Sequence, residues 1–169
     1  MSVDWEEVYR ANYESLVRFL HRKVWDEERA HELAQEAFVR ALDRQPDNPR
    51  AWLFRVAANL AMDEARAVVR RKKHLTLLRF DAESREKSME DPAAGLERNE
   101  KLETVRRALA ALSERDRDVL LLWDAGLDYR EIAEQTGLSP GAVGTTLSRA
   151  RKRLVDAYNA LEEQHAARG

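Results

Sequence analysis

Apolar residues recur every three or four positions along most of the chain, which is the spacing of amphipathic helices. Four stretches show it clearly before the C-terminal third: residues 4–24, 26–44, 51–73 and 95–112. Residues 45–50 (QPDNPR) break the pattern with two prolines, which predicts a turn-rich loop. The first 75 residues contain no Val- and Ile-rich strand pattern. The sequence therefore predicts an all-α fold.

Residues 127–154 predict a helix–turn–helix. Asp128 is a suitable N-cap for the first helix, and Gly137 suits the positive φ that often ends a helix. Ser139-Pro140 then provides an N-cap and an N1 proline for the second helix. At 100° per residue the second helix has one narrow apolar stripe, which must pack inward. That stripe consists of Val143, Leu147, Ala150 and Leu154.

The opposite face of this second helix carries small polar residues first and cations later. That order suits a recognition helix, which meets base edges near its start and phosphates further along. An ordinary helical hairpin with a solvated basic face would share the apolar spacing. DNA binding is favoured by a combination of four features: Glu131-Ile132-Ala133, the glycine turn, the Ser-Pro start and the basic run Arg149-Ala150-Arg151-Lys152. The predicted DNA contacts are Ser139, Gly141, Thr145, Thr146, Ser148, Arg149 and Lys152.

The distribution of charge supports two contacts with a polyanion. The net charge is only −2, which argues against indiscriminate nucleic-acid binding. Residues 51–75 and 139–158 are nevertheless basic islands in an otherwise acidic chain. Within the first island, the run Arg70-Arg71-Lys72-Lys73 either complements the negative end of a helix or binds phosphate.

Composition excludes several other classes of protein. The chain has no cysteine, so disulfides and thiolate metal sites are excluded and a reducing cytoplasm is expected. No apolar run could span a bilayer, and the acidic start is not a signal peptide, so we expect no membrane contact. Residues 28–31 and 162–165 match the Glu-x-x-His spacing of di-iron bundles, but no other inward acids complete a site. We predict no catalytic residue, metal or cofactor.

Two blocks in the right order resemble an extracytoplasmic-function (ECF) sigma factor of bacterial RNA polymerase. Residues 26–73 resemble region 2 of that family, notably in DEERAHELAQEAFVRAL and PRAWLFRVAANLAMDEARAVVRRKK. Residues 112–154 resemble region 4 through LSERDRDVLLLWDAGLDYREIAEQTGLSPGAVGTTLSRARKRL. The resemblance implies two small helical domains joined by a flexible linker. The corresponding ranges are 1–74 for region 2, 75–94 for the linker and 95–169 for region 4.

The resemblance also implies a function and assigns residues to it. The protein would bind core RNA polymerase, direct it to promoters, help to melt the minus-ten element, and be held inactive by an anti-sigma factor. The surface that docks on the polymerase clamp helices would be Glu32, Gln35, Glu36 and Val39. The minus-ten contacts would be Asn48, Arg55, Asn59, Arg66, Arg70, Arg71, Lys72 and Lys73, with Asn48 beside a flipped base. The predicted recognition helix would read the minus-thirty-five element.

Three positions depart from the family pattern in the recognition helix. Family members often carry basic residues where this chain has Gly144 and Thr146, and His or an aromatic residue at Ser148. Weaker or different base readout is therefore expected. Residues 112–154 also resemble the output domain of LuxR/NarL-type regulators, which is the alternative function. Such regulators usually carry a domain of alternating strands and helices, and the helical first 75 residues argue against one.

Overall fold

The structure is a computed structural model that describes residues 2–78 and 92–169, with side chains described at 2–75 and 98–169. This described part contains seven helices and no strand, which confirms the all-α prediction. The helices are α1 (Trp5–Val24), α2 (Glu27–Ala41), α3 (Pro49–Leu78), α4 (Pro92–Ala110), α5 (Glu114–Asp124), α6 (Tyr129–Thr136) and α7 (Pro140–Arg168).

The first two helices are joined by a very short connection with well-defined caps. Asp4 caps α1 by accepting hydrogen bonds from the amides of the first turn. Trp25 ends α1 in the left-handed conformation, with φ 56°, and donates its amide to the His21 carbonyl. Asp26 follows immediately and caps α2 by accepting from the Arg29 amide at 3.1 Å. The caps fix the point at which the chain reverses between α1 and α2.

The helices α1, α2 and α3 pack against one another around a fully buried core. Phe19 and Phe54 meet edge to face at 5.4 Å between ring centroids. Only the first half of α3 takes part, since its buried residues stop at Ala61 and its later residues are mostly exposed. The largest fully buried side chains of this core are Leu16, Leu20, Leu33, Leu53 and Phe54.

Some predicted helix ends and core positions are wrong. The basic run was expected to end α3 at Lys73, but α3 continues to Leu78, because His74 to Leu78 contains neither glycine nor proline. The helical spacing of apolar residues in 26–44 predicts Leu42 in the core, but it follows the end of α2 and is 63% exposed. The apolar residues Val119, Leu120, Leu122 and Trp123 likewise predict one core face, but Trp123 is 40% exposed and its ring is tilted against that of Tyr129. Most of the predicted linker, residues 79–91, lies outside the described residues.

The chain folds into two compact units, and each draws on two separate stretches of sequence. The first comprises Met1–Asp81 and Leu121–Glu131, and the second comprises Ala82–Leu120 and Ile132–Gly169. The helix–turn–helix sequence therefore contributes to both units. The division of the chain at residues 74 and 95 stays a prediction.

In the second unit, α4 packs against α7. The turn before α7 has the local geometry that its sequence predicts, since Gly137 adopts φ 76° and donates its amide to the Ala133 carbonyl at 3.0 Å. Pro140 begins α7 directly after Ser139. On α7, Val143, Leu147 and Ala150 are buried as the stripe predicts. The fourth residue of that stripe, Leu154, is only half-buried.

Candidate nucleic-acid interface

The face of α7 opposite the buried stripe is open to solvent. Five predicted contacts on this helix are exposed: Gly141, Thr145, Ser148, Arg149 and Lys152. Thr146 is half-buried, so it lies at the edge of this face. Ser139 occupies the N-cap position and is exposed, but its side chain makes no capping hydrogen bond. The helix thus presents a polar first turn and a basic third turn on one side.

An ion pair fixes α7 against α5 within the second unit. Arg153 donates from Nη1 to Asp116 Oδ2 at 2.6 Å, and the Asp116 side chain is only 7% exposed. The Asp116 amide donates to the Ser113 hydroxyl at 3.2 Å, as expected of a serine N-cap. A buried carboxylate needs a charged partner, so Asp116 holds Arg153 in place. The contact thereby joins α7 to α5 and helps to orient α7. Arg153 therefore has a structural role, unlike the exposed basic residues Arg149 and Lys152 that precede it on α7.

A second polar surface runs along α3. Arg55, Asn59, Arg66 and Arg70 are exposed on the side that faces away from the core. The guanidinium of Arg66 lies 4.0 Å from Asp63 Oδ1, one turn away on the same helix. This surface continues into the exposed residues Arg71, Lys72 and Lys73. All eight predicted minus-ten contacts thus belong to α3 or to its N-cap.

Glu64 links α2 to the basic end of α3. Its Oε2 accepts from Arg29 Nη2 at 2.9 Å, and its Oε1 lies 3.5 Å from Arg71 Nη2. The hydrogen bond from Arg29 lowers the pKa of Glu64 and outweighs the opposing effect of burial. The hydrogen bonds from Glu64 and Glu32 raise the pKa of Arg29 in return. The network keeps Glu64 ionised and places it beside a predicted phosphate contact.

Asn48 begins α3 rather than standing free in the loop. Its Oδ1 accepts from the Ala51 amide at 3.1 Å, which is an N-cap hydrogen bond. Its Nδ2 donates to Glu131 Oε2 at 3.1 Å, and Arg50 pairs with the same carboxylate. The sequence predicts Asn48 as a DNA contact, but neither of these interactions was expected from it.

A groove of about 670 Å³ lies between the end of α2 and the first half of α3. Trp52, Val56 and Val39 provide apolar surface, while Asn59 and two arginines provide polar groups. The indole of Trp52 is half-buried and lies 6.1 Å from that of Trp5. Sequence reasoning assigned Val39 and Asn59 to different surfaces, and it missed Arg40, Asp43, Arg44 and Trp52. The tryptophan next to the predicted loop was the signal available.

The outer face of α2 carries the predicted polymerase contacts. Glu32, Gln35 and Val39 are exposed, and Val39 is exposed to 66%. Glu36 is half-buried and accepts from Arg40 at 2.8 Å, as Glu32 does from Arg29 at the same distance. The face therefore combines locally paired carboxylates with one unusually exposed apolar side chain.

Neither a metal centre nor a membrane span is found among the described residues. No group of three or more His, Asp or Glu side chains there could hold a metal ion. His31, of the first Glu-x-x-His pair, instead shares a hydrogen bond of 3.0 Å with the Tyr13 hydroxyl. No helix in residues 2–78 or 92–169 is long and apolar enough to cross a bilayer.

Comparison with known proteins defines the class of the two helical parts. The model described as Sigma-70 region 2 matches residues 8–71, and the one described as Sigma-70, region 4 matches residues 102–154. RNA polymerase sigma factor YlaC of Bacillus subtilis is 34% identical over 155 residues, which cover 88% of each protein. ECF RNA polymerase sigma factor SigM of the same bacterium is 29% identical over 165 residues, covering 94% of this chain and 96% of SigM.

A solved structure shares the fold. It is the sigma factor RpoE in complex with the anti-sigma factor NepR from Bartonella quintana, with a TM-score of 0.64 and 20% identity. The match covers 92% of this chain and 97% of that one. A region 2 helical unit followed by a region 4 helix–turn–helix is the arrangement of a promoter-recognition subunit. The chain belongs to the ECF group of the sigma-70 family.

As a member of this family the protein is a sigma factor, which directs promoter-specific initiation of transcription. Sigma factors are regulatory subunits and not enzymes. The LuxR/NarL alternative is not favoured, because region 2 of the sigma-70 family matches residues 8–71, where such a regulator would carry its sensing domain.

Proposed function

We propose that this sigma factor holds promoter DNA at two surfaces, namely the exposed side of α3 for the minus-ten element and the exposed face of α7 for the minus-thirty-five element. The observation that carries the proposal is the clean separation of faces on α7, where three buried residues stand opposite a polar and basic surface. Small polar residues near a helix start and cations later suit base edges and phosphates in the major groove.

We propose further that the groove between α2 and α3 takes an unstacked base of the minus-ten strand. Its volume of about 670 Å³ and its half-buried Trp52 suit an aromatic ring. Asn59 can offer both a donor and an acceptor to a base edge. Arg40 and Arg44 also line the groove and can form ion pairs with a phosphate. Asn48, Arg55 and Arg66 would hold the neighbouring nucleotides, and the cations from Arg70 to Lys73 would hold phosphates further along α3.

Core RNA polymerase would bind the outer face of α2 through Glu32, Gln35, Glu36 and Val39. Exposure of Val39 supports this role, since a large exposed apolar side chain among charges is typical of interface surfaces. We also propose the cytoplasm as the compartment and an anti-sigma factor as a regulatory partner. Support for that partner is the fold shared with a sigma factor that was solved with one.

Run-off transcription from a library of randomised promoters tests this function. We expect the purified protein with core polymerase to start transcripts at defined positions from a subset of templates. Asn59→Ala should reduce run-off by about tenfold, because one good base contact is worth roughly 1–3 kcal/mol. Arg149→Ala should reduce it by less, because base readout by α7 is expected to be weaker. Arg10→Ala, a change in an exposed intrahelical pair of α1, is the matched control. Absence of any defined start would contradict the proposed function.

Two further changes, made together, test the polymerase surface separately. The double variant Glu32→Ala and Gln35→Ala should weaken capture of core polymerase and leave binding to promoter DNA alone unchanged. Equal polymerase affinity in the variant and the wild type would remove the α2 face from the proposal without affecting the DNA surfaces.

A further inference from the structure

Glu131 is a buried carboxylate with an unusually complete set of donors. Its side chain is 4% exposed. It accepts from the guanidinium of Arg50 through both oxygens, from Asn48 Nδ2 at 3.1 Å, and from the Asp128 amide at 3.0 Å. Burial alone would raise the pKa of Glu131, but these hydrogen bonds outweigh it and lower the pKa. Glu131 is therefore ionised in a buried position, and its charge is paired with that of Arg50.

Only one of these contacts serves the local helix. Glu131 and Asp128 form a reciprocal capping pair at the start of α6, since the Glu131 amide also donates to Asp128 Oδ1 at 2.8 Å. The contacts with Asn48 and Arg50 instead reach residues more than eighty positions away in the sequence. They connect the segment Leu121–Glu131 to the first turn of α3 inside the first unit.

The same segment is tied at a second point. Arg18 of α1 donates from Nε to Asp124 Oδ2 at 3.1 Å and from Nη2 to the Asp124 carbonyl at 3.3 Å. This pair is exposed, with side chains 49% and 65% accessible, so it contributes little by itself. Together the contacts at Asp124 and Glu131 hold residues 121–131 against α1 and the start of α3. We call this pair of contacts the latch.

The latch occupies groups that the minus-ten strand would use. Both kinds of polar atom in the Asn48 amide already have partners, because Oδ1 caps α3 and Nδ2 donates to Glu131. The charge of Arg50 is neutralised by the same carboxylate, so Arg50 does not attract an approaching phosphate while the pair is intact. A strand that takes up the Asn48 amide therefore competes with Glu131 for its Nδ2 donor.

We propose that the latch is autoinhibitory: single-stranded minus-ten DNA and Glu131 compete for Asn48 and the start of α3, so the free sigma factor binds the strand weakly. This inference rests on the proposed minus-ten role of Asn48. A binding site that is open in only a fraction of molecules shows an affinity reduced by that fraction. The latch therefore sets how much free protein is competent to bind.

The test variant is Glu131→Gln, which removes the charge that pairs with Arg50 and keeps a capping residue at the start of α6. The full-length variant should bind a labelled non-template strand of a run-off-selected promoter about tenfold more tightly than the wild type in fluorescence anisotropy. Asp124→Asn, which loosens the exposed tie, should give a gain of about twofold. Glu6→Gln removes the same charge from an exposed pair of α1 and should change nothing. Equal affinities for all four proteins would overturn the latch.

Cross-linking tests directly whether strand binding requires the latch to open. If the latch contacts were only structural, locking them would not weaken strand binding. The chain contains no cysteine, so the double variant Arg18→Cys and Asp124→Cys carries the only two. A bis-maleimide with a reducible spacer should join them within one molecule and weaken strand binding, and reduction of the spacer should restore it. Failure to cross-link, or full binding by the cross-linked form, contradicts the latch. Failure of run-off transcription contradicts the proposed function instead, so the two failures are distinguishable.

Discussion

The two basic helices carry similar charge but are positioned by different forces. On α7 the side that we propose to face DNA lies directly opposite Val143, Leu147 and Ala150, all of which are buried. On α3 the buried residues stop at Ala61, and the basic run at 70–73 begins more than two turns later. Core packing, together with the ion pair between Arg153 and Asp116, therefore orients the face of α7. Residues 62–75 of α3 instead have ion pairs with Glu64 and no buried side chain. Similar charge patterns can thus have very different structural support.

The largest expected effect separates packed from unpacked positions. Leu147→Ala should lower the free energy of unfolding by about 2–5 kcal/mol, because it leaves a cavity in a fully packed stripe. Val69→Ala on the exposed part of α3, where the side chain is 58% accessible, should change it by less than about 0.5 kcal/mol. Urea denaturation of both full-length variants measures the contrast. Equal losses would show that the end of α3 is packed as firmly as α7.

The ion pair that joins α5 to α7 gives the next effect. Asp116→Asn removes the charge that Arg153 pairs with at 2.6 Å, and it should cost roughly 1–3 kcal/mol of stability. Glu6→Gln in the exposed pair with Arg10 is the matched control and should cost less than about 0.5 kcal/mol. Thermal unfolding followed by circular dichroism reports both. An unchanged melting temperature for Asp116→Asn would mean that packing alone holds α7.

Sequence periodicity predicted the helices and the turn before α7 because these depend on local rules. Gly137 adopts its positive φ where a helix must end, and Asp128 caps α6 as a short acidic side chain should. The end of α1 could not be predicted in this way. Trp25 takes a left-handed conformation that its residue type disfavours, because Asp26 must start α2 at once.

Hydrophobic periodicity does not predict contacts between residues that are distant in the sequence. Glu131 belongs to the motif that identified the helix–turn–helix, yet its pairing with Arg50 depends on tertiary structure. The groove between α2 and α3 was missed for the same reason, since Val39 and Asn59 come from different helices. The exposure of Trp123 was not predicted either. A large apolar residue beside Leu122 is expected in the core, and only the tertiary packing shows that it is not.

Salt dependence sharpens the comparison for DNA binding. The double variant Arg70→Ala and Arg71→Ala should reduce the slope of log affinity against log salt by about two for the holoenzyme on forked promoter DNA. Arg168→Ala, at the end of α7, changes charge away from both surfaces and should leave the slope unchanged. A slope that stays the same in the double variant would remove these two residues from the phosphate contact.

The dependence of α3 on ion pairs should appear at low pH. The pKa of Glu64 is lowered below its ordinary 4.5 in the folded state, so its stabilising contribution is complete above that value and is lost as pH falls through the lowered pKa. The wild type should therefore be more stable than Glu64→Gln at pH 7, and the two should converge in acid. A constant difference down to about pH 3 would contradict the pairing.

The smallest effects concern base readout by α7, where weak readout is expected from the sequence. Gly144 and Ser148 offer neither a cation nor a ring to a base edge, and Gly144 costs a helix about 1 kcal/mol relative to alanine. Single-base changes in the minus-thirty-five element should therefore each cost less than about 1 kcal/mol in holoenzyme binding, below the usual range for a good base contact. In Arg149→Ala even these preferences should flatten, since Arg149 is the exposed cation closest to the polar first turns. Steep losses at several bases in the wild type would show that small residues here read DNA as strictly as the usual cations do.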